Sequence, residues 1–211
     1  METILRRFAV FALALTIFLH HGAASAGGGG AFNFRGPSAL ANFTSTDASG
    51  CVQTDVMVIG SDSVSQNEPG PSTAFSFASV TVSQYDICNG VQLLFAYGSA
   101  APLSDSAFQV SSRLDSATLN ARAQMFDEVS GSNFDLELHL TWTGSGSLSR
   151  SFTHSNLHSP DCIVNSRSKG TTRTAQAVGS LSDGVTDFTP EPSYEGSIVM
   201  VRSGTVTVGC N

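Results

Sequence analysis

Two histidines and an aspartate near residue 160 have a spacing that could hold a metal ion. His154 and His158 are four residues apart, and Asp161 follows three residues later. On a helix, this spacing would place both imidazoles on one side, where a carboxylate can complete a zinc-binding trio. The segment from 151 to 160 is nevertheless typical of a loop, and it lacks the glutamate of the zinc-protease motif. The sequence therefore leaves two interpretations open: a divalent metal site, or exposed loop histidines.

A second group of titratable side chains lies on the clearest strand pattern in the chain. A two-residue turn at 131–132 would set Glu128 opposite Asp135, with Glu137 and His139 following on the same face. Three carboxylates and an imidazole are suited to binding a hard cation or to acid–base chemistry. Polar residues on the outward face of a half-buried strand are also the ordinary case, so a solvated surface is the alternative.

Other chemistry has weaker support. No Gly-x-Ser-x-Gly motif occurs, so the sequence predicts no serine nucleophile, and we assign no other catalytic residue. Four large aromatic side chains are candidates for stacking on sugar rings, namely Tyr85, Tyr97, Trp142 and Tyr194. Because Tyr97 and Trp142 fall on the apolar faces of their segments, we expect both of them in the core.

The strand that carries the second group has an error-free alternation. Its apolar face consists of Phe134, Leu136, Leu138, Leu140 and Trp142. The two-residue turn predicts a hairpin in which Met125 faces Leu138 and Ala121 faces Trp142. A helix is the competing prediction for the first half of this hairpin, because apolar residues recur there at helical spacing: Val110, Leu114, Ala117, Ala121 and Met125.

The remaining patterns also favour strands. Short β-branched or aromatic segments, bounded by turn residues, occupy 52–59, 75–82, 91–97, 171–181 and 198–208. Seven or more such strands without βα alternation predict an all-β protein, an antiparallel β-sandwich or, alternatively, a barrel-like sheet. We expect one domain over residues 27–211, and if two lobes exist they join near residue 103.

The first 26 residues have the features of a targeting segment. Arg6 and Arg7 precede an apolar segment at 8–19, and a small-x-small site ends at Ala26. This is the pattern of a secretory signal peptide, and the apolar segment is too short to span a membrane as a helix. We therefore expect a secreted protein, extracellular or periplasmic, without a membrane span in its mature part.

Cysteine usage agrees with export, because the chain has four cysteines and all of them follow residue 26. An even number in an oxidising compartment predicts two disulfides. Three pairings are possible. We favour Cys51–Cys88 with Cys162–Cys210, because each then closes within its own half of the chain.

Charge narrows the classes of partner. The chain carries a net charge of −7 with 10 Lys and Arg against 17 Asp and Glu, and it has no block of like charge. Nucleic acid is therefore not an expected partner. We expect a non-catalytic binding or surface module for an unknown extracellular ligand. The alternatives are a metal-dependent or hydrolytic enzyme, with a divalent metal as its cofactor, and a structural coat or matrix protein.

Overall fold

The protein is built from antiparallel strands. The computed structural model describes residues 30–67, 72–158, 162–189 and 194–210; the predicted signal peptide lies outside them. Nine strands follow one another along the chain, and no helix is present within the described residues. They are β1 (Gly30–Thr46), β2 (Val52–Asn67), β3 (Ser72–Asp86), β4 (Val91–Ala100), β5 (Phe108–Val110), β6 (Ser116–Asp127), β7 (Ser132–His158), β8 (Cys162–Ser182) and β9 (Tyr194–Cys210).

All nine strands belong to one sheet. Their order is β4-β3-β2-β1-β9-β8-β7-β6-β5, and β4 also pairs with β6. The hydrogen-bonded pairings therefore run from β4 through β3 and the following strands to β6, and from there back to β4. Strands from both sides of residue 103 take part in this series. The described part of the chain contains no helix that is long and apolar enough to cross a membrane.

The β6–β7 hairpin confirms the predicted strands but corrects their register. Met125 faces Phe134 and Ala121 faces Leu138, a shift of four residues from the predicted pairing. The reason is the turn, which uses the four residues 128–131 and ends at Gly131 with a φ of +70°. Because the shift is even, every side chain keeps its predicted face.

The main core draws buried side chains from all nine strands. The apolar face of β7 is directed into the core as predicted, although Phe134 is only partly buried. Trp142, at the other end of this face, is fully buried between Ala117 on β6 and Ala177 on β8. The indole Nε1 donates a hydrogen bond of 2.9 Å to the carbonyl oxygen of Leu40 on β1. Small residues facing large ones thus give β1, β6, β7 and β8 a common packed interior.

The sheet changes its buried face along β8. Ala175 and Ala177 are buried toward the main core, whereas Ser166 and Ser168, on the opposite face, are buried farther toward the start of the strand. Val164 of β8 and Val206 of β9 form a separate small cluster on that second face. The first part of β8 and its neighbours therefore project beyond the main core. In this projecting part, the side of the sheet that faces the core elsewhere is exposed.

A disulfide joins the two turns at one end of the sheet. Cys51 and Cys88 are bonded, with their Cα atoms 5.2 Å apart, which confirms one of the two predicted pairs. In the second pair, the backbone of Cys162 lies directly opposite that of Cys210 across β8 and β9, at the ends of both strands. The side chains of this second pair lie outside the described residues.

Candidate functional site

The predicted acidic group is spread along the outer face of the hairpin. Asp135, Glu137 and His139 are exposed on one face of β7, as the alternation predicted. Glu128 lies in the turn and is not opposite Asp135, because of the shifted register. Arg122 instead donates from Nη2 to Oδ2 of Asp135 at 2.7 Å. A cation of the protein itself thus compensates part of the negative charge that motivated the metal hypothesis.

The two histidines of the predicted trio lie on a strand, not in a loop or helix. β7 continues through residue 158, and His154 is exposed on it, opposite Arg167 of β8. Residues four apart on a strand are about 13 Å apart along it, which does not favour a shared ion. The side chain of His158 and the whole of Asp161 lie outside the described residues, so this trio stays a prediction.

Surface depressions do not bring the predicted residues together. Two open depressions measure about 450 and 500 Å³, one beside Pro102 and Arg122 and the other beside Asp62, Asp105 and Phe108. Neither is lined by a predicted site residue. Among the described residues, no three His, Cys, Asp or Glu side chains are grouped so that they could hold a metal ion.

The most distinctive exposed feature is an apolar surface centred on β4. We define it by five outward side chains that are each 36–44% exposed: Tyr85, Leu93, Phe95, Tyr97 and Phe126. Three further exposed aliphatic residues stand in the adjoining turns and at the start of β4: Ile87, Val91 and Val129. Contiguous exposed apolar groups of this kind mark interaction sites more often than isolated ones do.

Three aromatic rings form the centre of the apolar surface. Tyr97 lies directly opposite Phe126 across β4 and β6, with ring centroids 6.1 Å apart and ring planes at 69°. Phe95 is two residues along β4, and its ring lies 6.4 Å from that of Tyr97 at 58°. The rings pack by edge and tilt, so the surface is uneven. Neither contacting pair of rings is parallel, so the rings do not form one flat stacking platform.

The predicted burial of Tyr97 is wrong, and the reason is the contact between β4 and β6. Where β4 pairs with β6, its inward positions are the small residues Ala96 and Gly98. A Cβ atom on Gly98 would lie only 2.0 Å from the carbonyl oxygen of Gln124 on β6. Only small residues allow this approach, so the large alternating residues of β4 face outward.

Asp127 anchors the turn beneath the apolar surface. Its carboxylate accepts hydrogen bonds from the amide of Phe95 at 3.2 Å, from the amide of Val129 at 3.0 Å, and from the hydroxyl of Ser130 at 2.5 Å. Burial alone would raise the pKa of Asp127, but these hydrogen bonds outweigh burial, and the pKa is lowered from its ordinary value. The charged form therefore holds β4 to the turn that follows β6.

Asp127→Asn is expected to reduce the free energy of unfolding by about 1–3 kcal/mol at neutral pH, because a buried acceptor of several bonds loses its charge. Since the folded pKa is lowered, the wild-type contribution is present above the ordinary pKa of 3.8 and is lost as the pH falls through the folded value. Urea unfolding of both proteins between pH 7 and pH 3 measures this difference.

The matched control is Asp105→Asn, which removes an equivalent charge from an exposed turn. We expect it to change stability by less than about 0.5 kcal/mol. A cost for Asp127→Asn that stays constant down to pH 3 would contradict the assigned role of its charge.

Comparisons with known proteins assign no family or function to the chain. No protein-family model, curated protein or solved structure matches the chain. Its function must therefore be argued from its own surfaces.

Proposed function

We propose that the protein is an exported, non-catalytic binding module that docks a partner protein on the apolar surface of β4. The single observation that carries this proposal is the exposed ring cluster of Phe95, Tyr97 and Phe126. Aromatic side chains at the centre of an interface supply much of the binding energy, since they bury large areas at low entropic cost.

The surroundings of the rings support a docking role. The neighbouring positions on β3 are the uncharged residues Thr81 and Ser83, opposite Tyr97 and Phe95. The hydroxyl oxygen of Thr81 is buried and has no hydrogen-bond partner among the described residues. A partner here would cover apolar area without burying an unpaired charge, which is the costly event at an interface.

The proposal includes a barrel-like sheet in one domain, with two disulfides. The return pairing of β4 with β6 supports the barrel-like alternative over the sandwich. The opposed backbones of Cys162 and Cys210 support the second bond, which would cross-link the ends of β8 and β9. The Cys51–Cys88 bond supports an oxidising destination, in keeping with the predicted export.

Binding of the purified protein to the surface of the cells that produce it tests the proposal. The double variant Tyr97→Ser and Phe126→Ser is expected to bind at least about tenfold more weakly than the wild type, because two partly buried rings lose their contacts. Captured partner chains should keep an unchanged mass after prolonged incubation. Cleaved partner would favour the hydrolytic alternative instead.

The control variant is Val185→Ser, which removes an apolar side chain that is 94% exposed in the turn after β8. It should bind like the wild type. Sedimentation of the wild type alone over a range of concentrations identifies self-association, the mark of the structural alternative. Equal binding by the double variant and the wild type would rule out the apolar surface as the docking site.

A further inference from the structure

Four positive side chains from three strands share one face of the projecting part of the sheet, and a fifth stands beside them in the bulge of β9. We define this cationic face by Arg35 on β1, Arg150 on β7, Arg167 and Lys169 on β8, and Arg202 on β9. All five side chains are exposed. The face is the continuation of the core-facing side beyond the end of the main core.

The strand register brings these residues together. Phe152 of β7 and Ser203 of β9 both lie opposite Lys169, and Arg35 lies opposite the β9 bulge that contains Arg202. Neighbouring strands are about 4.8 Å apart and alternate residues on a strand about 6.7 Å apart. Each cation therefore has another within about 8 Å, measured between Cα atoms.

Few of the described residues bring negative charge to this region. The segments 30–37, 149–158, 162–173 and 200–210 contain no aspartate or glutamate. Among the described residues, the ion pairs of arginine are Arg122 with Asp135 and Arg173 with Asp115, and neither uses a member of the cationic face. The described carboxylate next to the face is Asp62, which is exposed on β2 two residues along from Val64, the residue opposite Arg35.

This separation of charge has a physical cost that a ligand would relieve. Like charges on adjacent strands destabilise a sheet, and here they occur in a chain whose net charge is −7. Five cations that form no ion pair among the described residues give this part of an acidic chain a local potential opposite in sign to its overall charge. Such a face attracts an anionic partner from a short distance.

The side chains between the cations indicate the kind of anion. The exposed uncharged neighbours donate and accept hydrogen bonds: Asn156, Asn165, Ser203, Thr205 and Thr207. Phe152, which is 66% exposed, adds one aromatic ring among them. An acidic polysaccharide presents hydroxyl groups, ring faces and spaced carboxylates together, so it matches this combination of side chains.

We propose that the cationic face binds a carboxylated polysaccharide. Arginine and lysine would pair with the carboxylates, the amide and hydroxyl side chains with sugar hydroxyls, and Phe152 with a sugar ring. A dense polyphosphate fits less well, because five cations in a net acidic chain leave long-range repulsion toward it. This proposal is independent of the apolar surface, since the two surfaces share no residue.

Polygalacturonate is the probe for this proposal, with the full-length folded protein in solution and binding followed by calorimetry at about 50 mM and 500 mM salt. The double variant Arg167→Gln and Lys169→Gln is expected to bind about tenfold more weakly at low salt, and wild-type binding should fall at high salt. Arg122→Gln removes one positive charge outside the face, and its affinity should stay within about twofold of the wild type.

Further probes identify the source of the anion. Polyglutamate carries carboxylates without sugar rings, and duplex DNA and phosphatidylglycerol vesicles carry phosphates. We expect each of them to bind more weakly than polygalacturonate, and Phe152→Ser to weaken binding of polygalacturonate but not of polyglutamate. The proposal is overturned if polygalacturonate does not bind, if the double variant binds it as the wild type does, or if another probe binds as tightly.

Discussion

Trp142→Ala is expected to lower the free energy of unfolding by about 3–5 kcal/mol, the largest loss that we predict for a single side chain. The indole is fully buried, lies opposite Ala117 and Ala177, and donates a hydrogen bond to the carbonyl oxygen of Leu40. Its removal leaves a cavity between β1, β6, β7 and β8, and it leaves the partly buried carbonyl oxygen of Leu40 without this donor. Trp142 is the only tryptophan, so the variant has no tryptophan fluorescence with which to follow unfolding. Urea unfolding followed by circular dichroism measures the loss instead.

Trp142→Phe separates the two contributions. The phenyl ring fills most of the space but cannot donate the bond to Leu40, so we expect an intermediate loss of about 1–3 kcal/mol. A loss below about 1 kcal/mol for the alanine variant would show that Trp142 does not hold the core together.

Removing the Cys51–Cys88 disulfide is expected to cost about 4 kcal/mol in the chain-entropy model. The bond joins residues 37 positions apart, so its loss frees a long loop in the unfolded state. The double variant Cys51→Ala and Cys88→Ala, compared with the wild type by urea unfolding, measures the effect.

The turns around this disulfide have carboxylates that hold them in place. Hydrogen bonds lower the pKa of Asp47, and the bond from the Val52 amide has the largest effect. Hydrogen bonds also lower the pKa of Asp86, and there the bond from the Asn89 side chain has the largest effect. Both turns therefore keep hydrogen bonds when the sulfur bridge is absent, and the variant should still fold. A loss below about 1 kcal/mol would mean that these bonds, and not the disulfide, order this end of the sheet.

The sequence predicted strands better than it predicted which face of each strand is buried. On β7 the alternation identified both the strand and its core face, because the inward residues Leu136, Leu138 and Leu140 are large and apolar. On β4 the same pattern identified the strand but the wrong face. Periodicity reports that two faces differ, whereas burial depends on how closely the neighbouring strand approaches, as Gly98 shows.

The projecting part of the sheet was harder to predict for a related reason. Its buried positions on β8 include Ser166 and Ser168, which give only a weak hydrophobic pattern. The sequence from 151 to 160 predicts a loop, whereas β7 continues through residue 158.

The two candidate surfaces depend on pairings between distant parts of the chain. The members of the cationic face are spread along the chain between residues 35 and 202. They therefore form no charged block that the sequence alone would reveal. The apolar surface depends on the pairing of Tyr97 with Phe126, which requires β4 to reach β6 beyond the neighbouring β5. A hydrophobic pattern gives neither pairing, because each is set by the path of the whole sheet.

Site-specific photo-crosslinking tests the central claim, that a partner protein docks on the apolar surface, most directly. Benzoylphenylalanine replaces Tyr97 in one variant and Val185 in a control, and each protein is irradiated on the surface of the cells that produce it. We predict a crosslink from position 97 to a polypeptide other than the protein itself, and none from position 185. A crosslink only to a second copy, equal crosslinking from both positions, or no crosslink from position 97 would contradict the claim.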